Sequence, residues 1–311
     1  MFALPPALPP AGTIALVAPS YAPRDRWLQR GAAALRARGY TVLVDPDLGR
    51  PRRFHRAEDR RRAEHFTEVW CRDDVDAVLC GTGGYGATRV IPYLDASVFA
   101  ARPKPFAGYS DITALHLWLM RQAGLRTFHG PTVDDLPGPA GDPSLGSLLA
   151  ALTTPRPRDA LGGHGTRVVR AGRAAGPLTG GNLSLVQQSI GTAYEVMTDA
   201  AILFVEETRD PMSSVDERLV HLRNAGLLDR VAGVVVGHLS IDRSEEDEFE
   251  DFLLDLFAGR DIPIVMDFPA GHAFPNLTLP LGTRVELAAD ESSGGWLRYA
   301  EQALMESLGS K

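Results

Sequence analysis

Three positions in this chain have the residue types and order of a nucleophilic hydrolase site: a serine at 110, a carboxylate at 206 or 207, and a histidine at 272. Ser110 stands in the stretch FAGYSDITALHLWL (106–119), between a glycine-closed apolar run and an apolar-periodic helix in which Ile112, Leu115, Leu119 and Met120 recur at helical spacing. A serine on a strand-to-helix turn exposes its hydroxyl beside the free N–H groups of the helix start, which suits attack on a carbonyl next to an oxyanion hole. GYSD alone is a weak signal. Position 112 is Ile where the G-x-S-x-G elbow requires Gly, and Ser110 or Asp111 equally fits a plain helix N-cap.

The carboxylates Glu206 and Glu207 close the apolar run AILFV (201–205). A carboxylate there is costly to bury alone, so it reaches solvent or meets a partner. His272 lies on a loop between Pro269 and Pro275. An imidazole with a pKa of about 6.5 can take a serine proton, and a neighbouring carboxylate stabilises the imidazolium that results. His129 and His238 also end apolar segments and compete with His272 for the role of base, whereas His116 sits inside the helix after Ser110, where packing or capping is the simpler use. With no HExxH pattern, a metal site is not expected. The glycine run CGTGGYG (80–86) has no Walker lysine after it, and no cofactor is expected; it reads as a backbone wall beside an anion or oxyanion, or as a tight turn with no ligand.

The elements that must position these residues alternate between strand and helix. Residues 13–18 form an apolar strand closed by Pro19 and Ser20, 24–38 a helix capped by Gly39, and 40–44 a second strand. A strongly charged helix follows at 57–70, with Arg60, Arg61 and Arg62 read as a solvated face, and 75–79 is a third strand. A run of βα units predicts a parallel sheet covered on both faces, with sites at the C-terminal ends of its strands. From about 134 to 176, Pro137, Pro139, Pro143, Pro155 and Pro157 mark a connector with a short helix near 144–152. Beyond it, Gly180 and Gly181 read as a turn, Asn182 as a cap and 183–190 as a helix, followed by a helix at 216–225, a strand at 231–236, an acidic helix at 245–258 and a strand at 262–266.

A chain of 311 residues with 44% hydrophobic and 23% charged residues has room for two globular domains, expected at 1–160 and 170–311. The net charge of −7 argues against nucleic acid or an anionic membrane as partner and leaves small molecules as the default. Cys71 and Cys80 are the only cysteines, too few for a disulfide framework. No apolar run approaches 18 residues, and MFALPPALPPAG carries four prolines and no basic segment, so a cytoplasmic location is expected.

Taken in order, GTGGYG, AGYSDIT, GNLS, FVEE and PAGHAFPN resemble the serine peptidase family of L,D-carboxypeptidases, which includes the microcin C immunity peptidase. The resemblance runs from IALVAPS at 14–20 to LPLG at 279–282. It implies an α/β fold: an N-terminal flavodoxin-like parallel-sheet domain and a C-terminal α/β domain with a small barrel-like part, assembled as a homodimer. It implies Ser110 as nucleophile, His272 as base, Glu206 as carboxylate, the backbone N–H groups of Gly84 and Asp111 as oxyanion donors, and Gly83, Tyr85 and Asn182 as substrate contacts. Thr82 departs from the arginine that the family carries in RGGYG. The implied activity is removal of the terminal D-alanine from a murein tetrapeptide; the alternatives are cleavage of an aminoacyl or peptidyl amide bond to a nucleotide, and a catalytically silent small-molecule binder.

Overall fold

The computed structural model describes residues 2–49, 55–136, 138–139 and 142–306. Its first half alternates β1 (Thr13–Val17), α1 (Asp25–Arg36), β2 (Thr41–Leu43), α2 (Arg56–Cys71), β3 (Ala77–Cys80), α3 (Ala87–Val90), α4 (Ala96–Ala101), β4 (Phe106–Gly108), α5 (Thr113–Ala123) and β5 (Thr127–His129). These five strands are parallel and lie in the order β2-β1-β3-β4-β5, the 2-1-3-4-5 order of a doubly wound sheet. Strand periodicity explains why the sheet is covered twice. Ile14, Leu16, Ala77 and Leu79 face a core shared with α1, while Ala15, Val17, Val78 and Cys80 face one shared with α2, α4 and α5.

The expected connector is more structured than its prolines indicate. It holds α6 (Ser144–Thr153), β6 (Leu161–Gly163) and β7 (Arg167–Arg170); Pro137 lies outside the described residues. Then follow β8 (Gly172–Asn182), α7 (Leu183–Gln188), β9 (Ile202–Glu207), α8 (Met212–Asn224), β10 (Gly233–Leu239), α9 (Glu246–Leu256), β11 (Ile264–Met266), β12 (Leu279–Leu281), β13 (Arg284–Asp290) and β14 (Gly294–Tyr299). The second sheet has the order β6-β14-β13-β8-β9-β10-β11-β7, parallel from β8 to β11 and antiparallel outside them. In place of the expected barrel-like part, this hydrogen-bonded order leaves β6 and β7 as two edges, so among the described residues no closed barrel forms. The molecule is thus a mixed α/β fold with two mixed sheets. β12 leaves the second half and pairs antiparallel with β5, making it the edge of the first sheet.

Two readings of the sequence are corrected. Gly180 and Gly181 are not a turn but lie within the eleven-residue strand β8, at φ +115° and +138°. Glycine is needed there because a Cβ on residue 180 would fall 1.8 Å from the Phe204 carbonyl oxygen, and one on residue 181 would fall 2.6 Å from Thr113 Oγ1. Arg62 is not on a solvated face. It is 2% exposed and donates to Asp59 at 2.5 Å and to the carbonyls of Pro19 and Ser20, while Arg60 and Arg61 on the same helix are exposed. Burial works against the Asp59 charge, but Arg89 and Arg62 outweigh it and hold the carboxyl below its usual range. Replacing Arg62 by Ala strips a buried carboxylate of one of its two cations and is expected to cost about 3 kcal/mol, read from denaturant unfolding. Arg61→Ala, which loses only a surface pair with Glu58, should cost under about 0.5 kcal/mol.

Candidate active site

Ser110 follows β4 and an extended Tyr109, and it holds φ +65°, a left-handed value that a side-chain-bearing residue rarely adopts. A single turn of 3₁₀ helix over Ser110–Ile112 then leads into α5. The strain turns the hydroxyl out of the strand end toward the second half of the chain. There Ser110 Oγ lies 3.0 Å from His272 Nε2, and His272 Nδ1 lies 2.6 Å from Glu206 Oε2. Glu206 is fully buried, and the His272 side chain is 17% exposed.

Strand parity separates the two glutamates. Ile202 and Phe204 face the apolar core beneath the site, Leu203 and Val205 the core under α7 and α8, so consecutive carboxylates must leave β9 on opposite faces. Glu206 meets His272. Glu207 accepts from Asn182 Nδ2 at 2.8 Å, from Ser184 N at 2.9 Å and Oγ at 2.6 Å, and from Thr208 N at 3.0 Å, which ties the start of α7 to the end of β9.

The other two histidines are elsewhere. His129 is fully buried against Phe204 and Tyr109, and burial holds its pKa well below 6.5. His238 is half-buried, and its Nε2 lies 3.4 Å from Ser240 Oγ. His116 is buried with Nε2 2.8 Å from the Gly108 carbonyl, the packing use that its place in α5 implied.

The loop that carries His272 is fixed from several sides. Leu277 N–H bonds the Pro269 carbonyl at 2.8 Å, and Asn276 Oδ1 accepts from Gly271 N at 3.0 Å. From α6, Ser144 Oγ and Ser147 Oγ accept the N–H groups of Asn276 and Thr278 at 2.8 and 2.9 Å. The Tyr109 ring packs 4.8 Å from the imidazole, centroid to centroid. Gly271 has φ +110°, and a Cβ on it would sit 2.7 Å from Glu206 Oε2. Tyr109, Gly271 and Asn276 stand inside the motifs that flagged the site, yet no periodicity gave them a role.

The glycine loop lies alongside the serine. A Cβ on Gly83 would fall 2.8 Å from Ser110 Cβ, so the missing side chain lets the backbone pass beside the hydroxyl. Neither the Gly84 N–H nor the Asp111 N–H donates to a protein acceptor among the described residues. Tyr85 is 45% exposed and interacts with Arg89, whose guanidinium binds Asp59 at 2.7 Å. Asn182 is 4% exposed, with its amide committed to Glu207 and its carbonyl accepting from Leu185 N at 3.4 Å. A cleft of about 790 Å³ opens beside this group, lined by Tyr21, Arg24, Trp27, Thr82, Asp134 and Arg209 among others. Among the described residues, no group of three or more His, Cys, Asp or Glu side chains is placed to hold a metal, and no helix is long and apolar enough to cross a membrane.

Burial alone would push the His272 pKa down, but the Glu206 hydrogen bond and the charges of Glu206, Glu207 and Asp135 outweigh it and raise the pKa above 6.5. Proton NMR of the imidazole should therefore give a midpoint above 6.5 in the wild type, and a lower one in Glu206→Gln, where the strongest opposing charge is gone. An unchanged midpoint would show that the Glu206 contact carries none of the shift.

Residues 14–130 match the LD-carboxypeptidase N-terminal domain and residues 175–287 the LD-carboxypeptidase C-terminal domain. A putative carboxypeptidase of Streptomyces coelicolor is 35% identical over 291 residues, 92% of this chain and 93% of its own. A probable murein peptide carboxypeptidase of Bacillus subtilis is 30% identical over 301 residues, 93% and 92% of the two chains. The fold superposes on MccF in complex with glutamyl sulfamoyl guanosine with a TM-score of 0.86 at 23% identity, over 97% of this chain and 99% of that one. With both domain matches in chain order and two relatives aligned over nine-tenths of its length, the chain belongs to the LD-carboxypeptidase family.

Proposed function

We propose that the protein is a serine carboxypeptidase that cleaves the L,D-peptide bond to a terminal D-alanine of murein peptides. The observation that carries this reading is the hydrogen-bonded chain Ser110–His272–Glu206 at 3.0 and 2.6 Å, in a family whose relatives are named as carboxypeptidases. The first sheet with its 2-1-3-4-5 order is the flavodoxin-like domain of this reading, and it supplies the nucleophile.

The chemistry follows from the geometry. Ser110 Oγ attacks the scissile carbonyl while His272 Nε2 takes its proton, and the buried Glu206 stabilises the imidazolium that forms at Nδ1. The backbone N–H groups of Gly84 and Asp111 receive the oxyanion. His272 then passes its proton to the departing D-alanine amine, and water attacks the acyl-serine by the same route in reverse. The imidazole must be neutral at the start, so kcat/KM should fall on the acid side with a midpoint above 6.5, the direction in which Glu206 moves it.

Ser110→Ala should remove hydrolysis by several orders of magnitude with the fold intact, and retention of a tenth of wild-type turnover would exclude Ser110 as nucleophile. Glu206→Gln is expected to cost roughly 10²–10⁴ in kcat. Glu207→Gln should mainly lower stability, since its carboxylate holds the start of α7. Labelling by a fluorophosphonate, followed by peptide mapping to Ser110, separates this reading from that of a silent binder.

The substrate's terminal carboxylate needs a cation that the glycine loop does not supply, because residue 82 is Thr and Arg89 is held by Asp59. Arg209 fits the need better. It lines the cleft from the loop beyond Glu207 at φ +64°, and among the described residues it has no hydrogen-bond or ion-pair partner. Amidating the terminal D-alanine should lower wild-type kcat/KM by about 2 kcal/mol. Arg209→Gly, which suits the left-handed backbone, should abolish that discrimination. Equal turnover of acid and amide by the wild type would remove the carboxypeptidase reading and keep the serine hydrolase.

One observation favours the second reading, an amide bond to a nucleotide. Tyr21, Trp27 and Phe274 are exposed by 47%, 36% and 50% and line the cleft, as a stacking surface for a base would require. Turnover of an aminoacyl sulfamoyl adenylate beside a murein tetrapeptide decides between the two.

A further inference from the structure

Beside the serine, a single buried carboxylate joins three separate segments. Asp111 is 3% exposed, and its Oδ2 accepts both the Ser20 hydroxyl, from the loop after β1, and the Ala87 N–H at 2.8 Å, at the start of α3 directly beyond the glycine loop. Ser20 is itself fully buried, and its carbonyl receives Arg62 Nη1 at 3.2 Å. The next residue, Tyr21, donates its N–H to the Gly83 carbonyl at 3.3 Å, and its ring lies against Gly84, where a Cβ would fall 2.1 Å from Tyr21 Cδ2. The loop 81–86 is therefore gripped at its far end by Ala87 and along its length by Tyr21, and both grips run to the same carboxylate oxygen.

We propose that the Asp111 side chain is the positioning residue of the oxyanion hole. This rests on the serine hydrolase reading given above. In that reading the Asp111 main chain carries one oxyanion donor, directly after the nucleophile. Its side chain ties down the loop carrying the other donor, Gly84. One residue thereby sets the separation of the two N–H groups. Such a device matters because Gly84, at φ +106° in a run of glycines, has no side chain of its own to hold its amide in place. A donor must stand about 2.7–3.1 Å from where the oxyanion forms, so a small displacement of the loop removes its contribution in the transition state and leaves substrate affinity almost unchanged.

The arrangement makes Asn a conservative replacement. The two hydrogen bonds converge on one oxygen, and the amide oxygen of Asn has two lone pairs to accept them both. The alanine variant loses them both. The loss should appear in kcat and not in KM, and it should appear equally in phosphonylation, because the phosphonyl oxygen occupies the same hole.

The test measures kcat and KM on the tetrapeptide and the second-order rate of fluorophosphonate labelling, for the wild type, Asp111→Ala, Asp111→Asn and Ser20→Ala, each at a temperature where circular dichroism shows it folded. Asp111→Ala should lose at least about tenfold in kcat and in labelling rate together, toward the roughly 10²–10³-fold cost of deleting an oxyanion donor, with KM within about twofold. Asp111→Asn should recover most of both rates. Should Asp111→Ala fail to fold, Ser20→Ala removes one grip only and is expected to show a smaller loss of the same kind. The proposal is overturned if the folded alanine variant keeps both rates within about threefold of wild type, if the loss lies in KM, or if Asn fails to restore the rates. A wild type that the fluorophosphonate does not label at Ser110 would instead overturn the hydrolase reading beneath it.

Discussion

The hydrogen bond between Glu206 and His272 makes the heaviest demand on the rest of the molecule. A carboxylate with no solvent exposure at the end of an apolar strand is stable only if a partner reaches it with good geometry. Its partner sits on a loop without regular structure between β11 and β12, so the loop must be held by other means. Asn276 closes it from within, two serines of α6 hold its N–H groups, and Gly271 leaves the space that the Glu206 carboxylate fills. α6 comes from before the second sheet begins. The geometry around His272 therefore depends on segments from both halves of the chain.

The same dependence explains the course of β12. Ser110 belongs to the first sheet and Glu206 to the second, and a 3.0 Å contact between Ser110 and His272 requires those sheets to keep a fixed relation. β12 begins seven residues after His272 and pairs with β5, so the chain that carries the imidazole is stitched at once to the sheet that carries the serine. Beneath the site, Met120 of α5 and Leu279 and Leu281 of β12 share one apolar core with Phe204 of β9. Apolar packing of this kind fixes the distance between elements that no short-range hydrogen bond joins.

What the sequence revealed, and what it hid, follow from the range of the interactions involved. The βα alternation was legible because buried parallel strands are continuous apolar runs, and the turn at Ser110 because strand and helix periods meet there. Period-two alternation also implied that Glu206 and Glu207 leave on opposite faces. Which of the two meets His272 depends on the packing of β9 between two cores, which the sequence does not show. The residues alone left His129, His238 and His272 open; the resemblance pointed to His272, and in the fold it is that imidazole that reaches Ser110. The antiparallel strands β6, β7, β13 and β14 went unread because they are short or interrupted by glycine and charge. Arg62 was misread because three consecutive arginines look solvated, although a helix turns each about 100° from the last and one of them inward. Asn182 was recognised by resemblance, yet its side chain is occupied by Glu207 and the start of α7.

Net charge conveyed least about the cleft. A chain with a formal charge of −7 nevertheless lines this opening with Arg24, Arg30 and Arg209, alongside Asp134 and Asp135. A ligand feels the nearby groups, because charges beyond a Debye length of about 8 Å are screened. The cleft's own charge also changes with pH. Burial lifts the Asp134 pKa to about 6, above the usual carboxylate range, against the pull of Thr82 and of the Arg24 main chain. As pH falls through that value, the opening loses a negative charge and becomes more favourable to an anionic substrate. As pH falls, His272, whose pKa Glu206 raises above 6.5, takes up its proton before Asp134 does. The two responses to acid arise on different elements, Asp134 in the turn after β5 and His272 in the loop between β11 and β12.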